Sequence, residues 1–245
     1  MKQLYCKKIV LLLTGTINTN GISYVLLNDK TIRKKNYIDA IKHYLQNYNY
    51  PIVFVENSDE DLSPYFVSEI KEGRLQILHF NGNDYQPILG KGYGEMGCIE
   101  YAVKNATLIN KDTFIFKITG RYIINNAAKF FNTVEKKPAL ELLADLTNNF
   151  TWSAGCIFGF TPYFANTFLF KNKELLNDSI GYNFEHALAK AVLEAIGHRL
   201  NFQIFNYYPI INAISGTTGK YYNKAWWYIY PRQLKYFVRY LIVIR

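Results

Sequence analysis

Short unbroken apolar runs alternate along this chain with longer segments whose apolar residues recur at helical spacing. Lys7–Leu13 reads as a continuous apolar strand closed by the polar turn Thr14-Gly15-Thr16. Ile38, Ile41, Leu45 and Tyr48 share one helical face, which predicts an amphipathic helix over about 30–48, broken at Pro51. Ile52–Val55 is a second apolar strand, ended by Glu56-Asn57-Ser58, and Leu75–Phe80 a third, after a turn at Gly73. Gly90–Glu95 opens a helix that runs to about Asn105, and Phe114–Ile118 is a further strand. Residues 139–149 read as a short helix. Ala154–Phe160 is an apolar strand, Asn183 caps a helix that ends at Ile196 before Gly197, and Phe202–Phe205 is a short strand.

Buried strands separated by helices imply an α/β fold around a mainly parallel sheet. Ligands of such sheets bind beyond the carboxyl ends of the strands. That rule selects Thr14, Gly15 and Thr16, and Glu56 and Asn57, as contacts to a ligand. No linker divides the chain and no internal repeat is visible. The expected organisation is a catalytic domain over 1–220 and a basic, aromatic, helical segment over 221–245.

The 245 residues carry a formal net charge of +9, which favours anionic partners: nucleotide diphosphates, nucleic acid or an anionic membrane surface. Cys6, Cys98 and Cys156 form no CxxC pair and no zinc spacing, as expected of a reducing compartment. His43, His79, His186 and His198 show no ligand spacing either. The run Ile9–Leu13 is too short to span a bilayer and no cleavage site follows it, so a cytoplasmic protein without a signal peptide is expected. Gly90–Glu95 lacks the strand and the downstream acid of a dinucleotide-binding loop.

Three segments carry chemistry. Phe116-Lys117-Ile118-Thr119-Gly120-Arg121-Tyr122 lies at a strand end. Ser153–Phe160 is Gly-rich and is followed by Asn183-Phe184-Glu185-His186. Ser215-Gly216-Thr217-Thr218-Gly219-Lys220 precedes Trp226 and Trp227. Their order, over most of the chain, resembles the GT-A glycosyltransferases of bacterial capsule, O-antigen and lipooligosaccharide synthesis. The resemblance implies a nucleotide-sugar donor with UDP foremost, a glycan or lipid-linked acceptor, and hexosyl transfer.

Members of that group end the central strand in Asp-x-Asp, which holds a divalent metal against the leaving diphosphate. Here the strand end carries Lys117 and Arg121 and no carboxylate. No cofactor is therefore expected, and no metal site is seen, although metal dependence is left open. A guanidinium can take over part of the metal's task, which makes Arg121 a catalytic candidate, assisted by Lys117. Strand alternation puts Lys117, Thr119 and Arg121 on one face, beside Gly120. The alternative for Arg121 is an ion pair with Glu56 or Glu95.

In the same comparison Ser215, Gly216, Thr217, Thr218, Gly219 and Lys220 become a diphosphate-cradling loop. Glu185 is the catalytic carboxylate, either a base in an inverting enzyme or a nucleophile or charge stabiliser in a retaining one. The likeness of the late Gly216–Lys220 segment before Trp to the Gly-x-x-Lys closure of retaining members, together with the position of Glu185, favours retention. His186 is a second catalytic candidate, and Lys91 and Glu95 are donor-sugar contacts. Asp145 reads as a sugar contact or a solvated helix charge.

No Asp or Glu follows Glu194, whereas Arg199, Lys220, Lys224, Arg232, Lys235, Arg239 and Arg245 are interleaved with aromatics. This pattern suits an anionic membrane interface better than nucleic acid. Two other classes are distinguishable from the main reading. A non-catalytic module that binds nucleic acid or membrane predicts no turnover of UDP-sugars. A GT-A-like nucleotidyltransferase requires an N-terminal Gly-rich loop that this sequence lacks. The oligomeric state is not legible.

Overall fold

A computed structural model describes residues 7–19, 22, 25–216, 218–222 and 225–243. Cys6, Thr217, Lys224 and Arg245, named above, lie outside the described residues. The strands are β1 Lys8–Gly15, β2 Ile52–Glu56, β3 Leu75–His79, β4 Thr113–Thr119, β5 Ile123–Ile124, β6 Leu142–Ala144, β7 Ile157–Phe160, β8 Phe202–Ile204 and β9 Ile211–Asn212. The helices are α1 Lys30–Asn47, α2 Val67–Lys71, α3 Lys91–Asn105, α4 Ala127–Glu135, α5 Pro162–Phe164, α6 Phe184–Gly197 and α7 Trp226–Val243.

Seven strands form one sheet in the order β3-β2-β1-β4-β7-β6-β8. β1 lies between β2 and β4, parallel to both, with Thr14 opposite Val55 on one side and Thr119 on the other. β7 runs against both of its neighbours, β4 and β6, so the expected parallel sheet carries one reversed strand. β5 and β9 pair separately.

The unbroken apolar run of β1 is explained by helices on both faces. Ile9, Leu11 and Leu13 point into one core, with Tyr37, Ile41 and Tyr44 of α1 and Phe130, Phe131 and Val134 of α4. Val10 and Leu12 point into the other, with Met96, Ile99 and Ala102 of α3 and Leu188 and Val192 of α6. A strand buried on both faces has no polar positions to alternate.

One predicted element is corrected. The stretch 139–149 is not helical; Leu142–Ala144 is a buried strand between β7 and β8. Three apolar residues in a row carry no helical period, and their pairing partners lie far away in sequence.

α7 docks on the domain through few residues. The Tyr236 hydroxyl donates to Asp145 Oδ2 at 2.5 Å, and Arg239 pairs with Asp145 Oδ1 and donates to the Leu146 carbonyl at 2.8 Å. Asp145 is therefore buried in an ion pair, neither solvated nor aimed at a sugar. Among the described residues no helix is long and apolar enough to cross a membrane.

Candidate active site

The carboxyl ends of β1 and β4 open into a cleft with a cavity of about 190 Å³. Thr14, Gly15 and Thr16 line it from β1, Thr119 and Arg121 from the end of β4, and Lys91 and Glu95 from α3. Glu185 enters at the start of α6, and Ser215 and Gly216 from the late loop. Segments more than 200 residues apart in sequence thus converge where an α/β sheet places its ligands.

The backbone of the β1 turn is held from below. Glu56 is fully buried, and its carboxylate accepts from the Ile17 N–H at 2.7 Å, the Ser58 N–H at 2.9 Å and the Glu60 N–H at 2.8 Å. Asn57, also buried, accepts from the Thr16 hydroxyl at 2.6 Å. Both expected donor contacts are corrected: neither lines the cleft. A buried loop must satisfy its N–H groups, and these side chains do so. Arg33 of α1 completes the clamp. Its Nε donates to the Thr16 carbonyl at 2.7 Å and its Nη1 to the Leu27 carbonyl at 2.9 Å.

Lys117 is likewise corrected as a donor contact. Its side chain is fully buried beneath the cleft floor. Its ammonium pairs with Glu95 Oε1 and donates to the Gly155 carbonyl at 2.6 Å. The same Glu95 oxygen accepts from Thr14 Oγ1 at 3.3 Å and Thr119 Oγ1 at 3.4 Å, so one carboxylate joins β1, β4 and α3 under the site. Glu95→Gln leaves a buried ammonium without its counter-charge. We expect a loss of about 3–5 kcal/mol of stability, read by urea unfolding.

Arg121 lies differently. Among the described residues it pairs with no carboxylate, so the alternative of an ion pair with Glu56 or Glu95 is not what holds it. Its guanidinium donates to the Ile214 carbonyl and sits 4.7 Å from the Tyr122 ring centre. A Cβ on Gly216 would approach Arg121 Nη2 to 2.4 Å, so glycine there leaves room for the guanidinium in this position and a larger residue would displace it. Gly120, which does not itself line the cleft, serves a similar need. Its N–H donates to the Thr14 carbonyl at 2.8 Å, and a Cβ there would meet that oxygen at 2.6 Å.

Beyond Gly216 the late loop turns away. Ser215 and Lys220 close it as a turn, with the Ser215 N–H donating to the Lys220 carbonyl at 2.9 Å. Thr218, Gly219 and Lys220 are exposed and do not line the cleft.

Burial, reinforced by the neighbouring Glu95, raises the Glu185 carboxyl above its ordinary range, against the opposing pull of Lys91 and Lys117. His186, one residue on, points elsewhere. Its Nδ1 is 3.0 Å from Asn183 Oδ1, and its ring lies between Trp152 and Tyr182. It does not line the cleft, and the expectation of a catalytic histidine is corrected: a helix turns about 100° per residue, so neighbours face different ways. Tyr37, Tyr122, Tyr222, Cys98 and Cys156 also line the cleft without having been singled out for it in sequence. Burial raises both thiols, that of Cys156 to about 12, so neither offers a thiolate near neutral pH.

The metal implied by Asp-x-Asp does not fit these residues. Among the described residues no group of three or more His, Cys, Asp or Glu could hold an ion. At the strand end itself stand a buried ion-paired lysine, a threonine and an arginine.

No protein-family model and no curated protein matches the sequence. The fold does match solved structures. The galactosyltransferase LgtC, in complex with donor and acceptor sugar analogs, aligns with a TM-score of 0.50 at 6% identity, covering 81% of this chain and 74% of that one. A proposed nucleotide-diphospho-sugar transferase from Desulfovibrio desulfuricans G20 gives 0.46 at 9% identity over 81% and 80% of the two chains. A cytidylyltransferase from Leptospira borgpetersenii serovar Hardjo-bovis gives 0.45 at 15% over 82% and 76%. The chain therefore has the GT-A type of Rossmann-like α/β fold.

Proposed function

We propose that this chain is a glycosyltransferase. It moves a sugar, in our reading a hexose from UDP, onto a glycan or lipid-linked acceptor of a surface polysaccharide, with retention at the anomeric carbon. The observation that carries the reading is one cleft, at the carboxyl ends of β1 and β4, that holds both a guanidinium without a carboxylate partner among the described residues and a raised carboxylate.

In the proposed reaction the bond between the anomeric carbon and the diphosphate oxygen breaks. The diphosphate leaves with the electron pair and meets Arg121, while the carbon's developing positive charge meets ionised Glu185. The acceptor hydroxyl then forms the new bond from the face the diphosphate has left, and its proton passes to the departing diphosphate oxygen. The Ser215 hydroxyl, which accepts from the Thr218 N–H at 3.2 Å, keeps its proton for the diphosphate, whereas Thr14 Oγ1 and Thr16 Oγ1, which donate to Glu95 and Asn57, accept from the nucleotide, with Lys91 beside the sugar. A panel of nucleotide sugars, read by thermal shift, tests the reading. One nucleotide family should raise the melting temperature saturably, and transfer or hydrolysis of that donor should follow. A panel that produces neither shift nor turnover contradicts it.

The C-terminal helix supports peripheral attachment to an anionic membrane, from the cytoplasmic side. Trp226, Trp227, Tyr230 and Ile242 are 74%, 66%, 68% and 70% exposed on a segment without acidic residues. Trp226→Ser/Trp227→Ser is expected to weaken flotation with phosphatidylglycerol vesicles severalfold and to leave turnover of a water-soluble acceptor unchanged.

A further inference from the structure

A second cavity, of about 260 Å³, lies between α4, β8 and α7, away from the cleft. Gln203 forms part of its wall. This side chain is only 4% exposed, yet neither its amide nitrogen nor its amide oxygen has a hydrogen-bond partner. A buried amide without partners is costly, so its persistence calls for a missing ligand.

The rest of the wall gives the sign of that ligand's charge. Lys129, Lys136 and Lys137 converge there, and among the described residues none of them forms an ion pair with a carboxylate. Glu135, adjacent in sequence, accepts instead from the Tyr50 hydroxyl at 2.9 Å. Two of the ammoniums lie over aromatic rings, Lys129 at 5.0 Å from the Tyr207 ring centre and Lys137 at 5.8 Å from that of Tyr240. Tyr240 belongs to α7, the helix with the exposed aromatic face.

We propose that this cavity binds a phosphate group, with the lysines supplying charge and the Gln203 amide nitrogen a buried donor. The group comes either from a free phosphate or from the headgroup of an anionic lipid. The proposal does not depend on the transferase reading, because its test reads binding and not turnover.

The full chain is melted against inorganic phosphate at constant ionic strength. It is also sedimented with vesicles of phosphatidylcholine, with and without phosphatidylglycerol. Wild type is compared with Gln203→Met, a replacement that adapts to its surroundings, and with Lys136→Ala/Lys137→Ala, whose side chains are exposed. Saturable stabilisation by phosphate whose apparent affinity falls about tenfold in both variants supports the site with free phosphate as sufficient ligand. No response to phosphate, but phosphatidylglycerol-dependent sedimentation that both variants weaken, assigns the site to a lipid headgroup. Gln203→Met should melt no lower than wild type without ligand, since it removes an unsatisfied amide. Identical behaviour of wild type and variants in both assays overturns the proposal. So does a loss confined to the lysine variant, which is the signature of diffuse surface charge.

Discussion

Glu185→Gln is expected to lower sugar transfer by about 10²–10⁴-fold while leaving nucleotide affinity and the fold intact. The substitution keeps the size of the side chain and removes only its charge. In the proposed reaction that charge faces the anomeric carbon, so its loss falls on kcat and not on binding of the nucleotide. The stability change has a sign that separates this reading from a structural one. Burial and Glu95 hold the folded-state pKa of Glu185 above its unfolded value. The contribution to stability is therefore fully present below the ordinary glutamate range and is lost as pH rises through the raised value. At neutral pH the ionised carboxylate is a net cost, and Gln should melt at or above the wild-type temperature. A structural carboxylate would give the opposite: a lower melting temperature and near-normal turnover. The same shift predicts that the acidic limb of the kcat profile lies above the usual carboxylate range, since activity requires the ionised form.

Arg121→Ala is expected to cost about 10²–10³-fold in kcat and to weaken binding of the nucleotide diphosphate. The guanidinium is held by the Ile214 carbonyl and the Tyr122 ring, and among the described residues no carboxylate neutralises it. Its charge is therefore available to the leaving group. Arg121→Lys should recover only part of the loss, because an ammonium lacks the planar fork that contacts two phosphate oxygens together. Equal activity of wild type and Arg121→Ala would remove the residue from the mechanism.

Much of the fold could be read from pattern alone. β1, β2 and β4 are apolar runs buried on both faces, and α1 keeps its period from Tyr37 to Leu45. β6 could not be read, because three apolar residues become a strand only through β7 and β8. The reversal of β7 depends on the same distant pairing. Of the contacts expected from the strand ends, Thr14, Gly15, Thr16, Thr119 and Arg121 line the cleft. Direction was the missing information. Lys117 and Arg121 look equivalent in sequence, but one is buried under Glu95 and the other lines the cleft. Glu185 and His186 are adjacent and diverge by one helical step. Arg33 left a usable signal: it occupies the buried stripe Arg33, Tyr37, Ile41 of α1, where a charge needs a partner. Tyr122 and Tyr222 left none, among 21 tyrosines.

The central claim is that Arg121, and not a divalent metal, holds a nucleotide diphosphate in the cleft between β1, β4 and α6. Calorimetric titration of UDP into wild type and Arg121→Ala, both in excess EDTA, tests it most directly. The account predicts saturable binding to wild type without metal, and affinity lower on the order of 10²-fold in Arg121→Ala. Binding that appears only when Mn²⁺ is added, or that is equal in the two proteins, would contradict it.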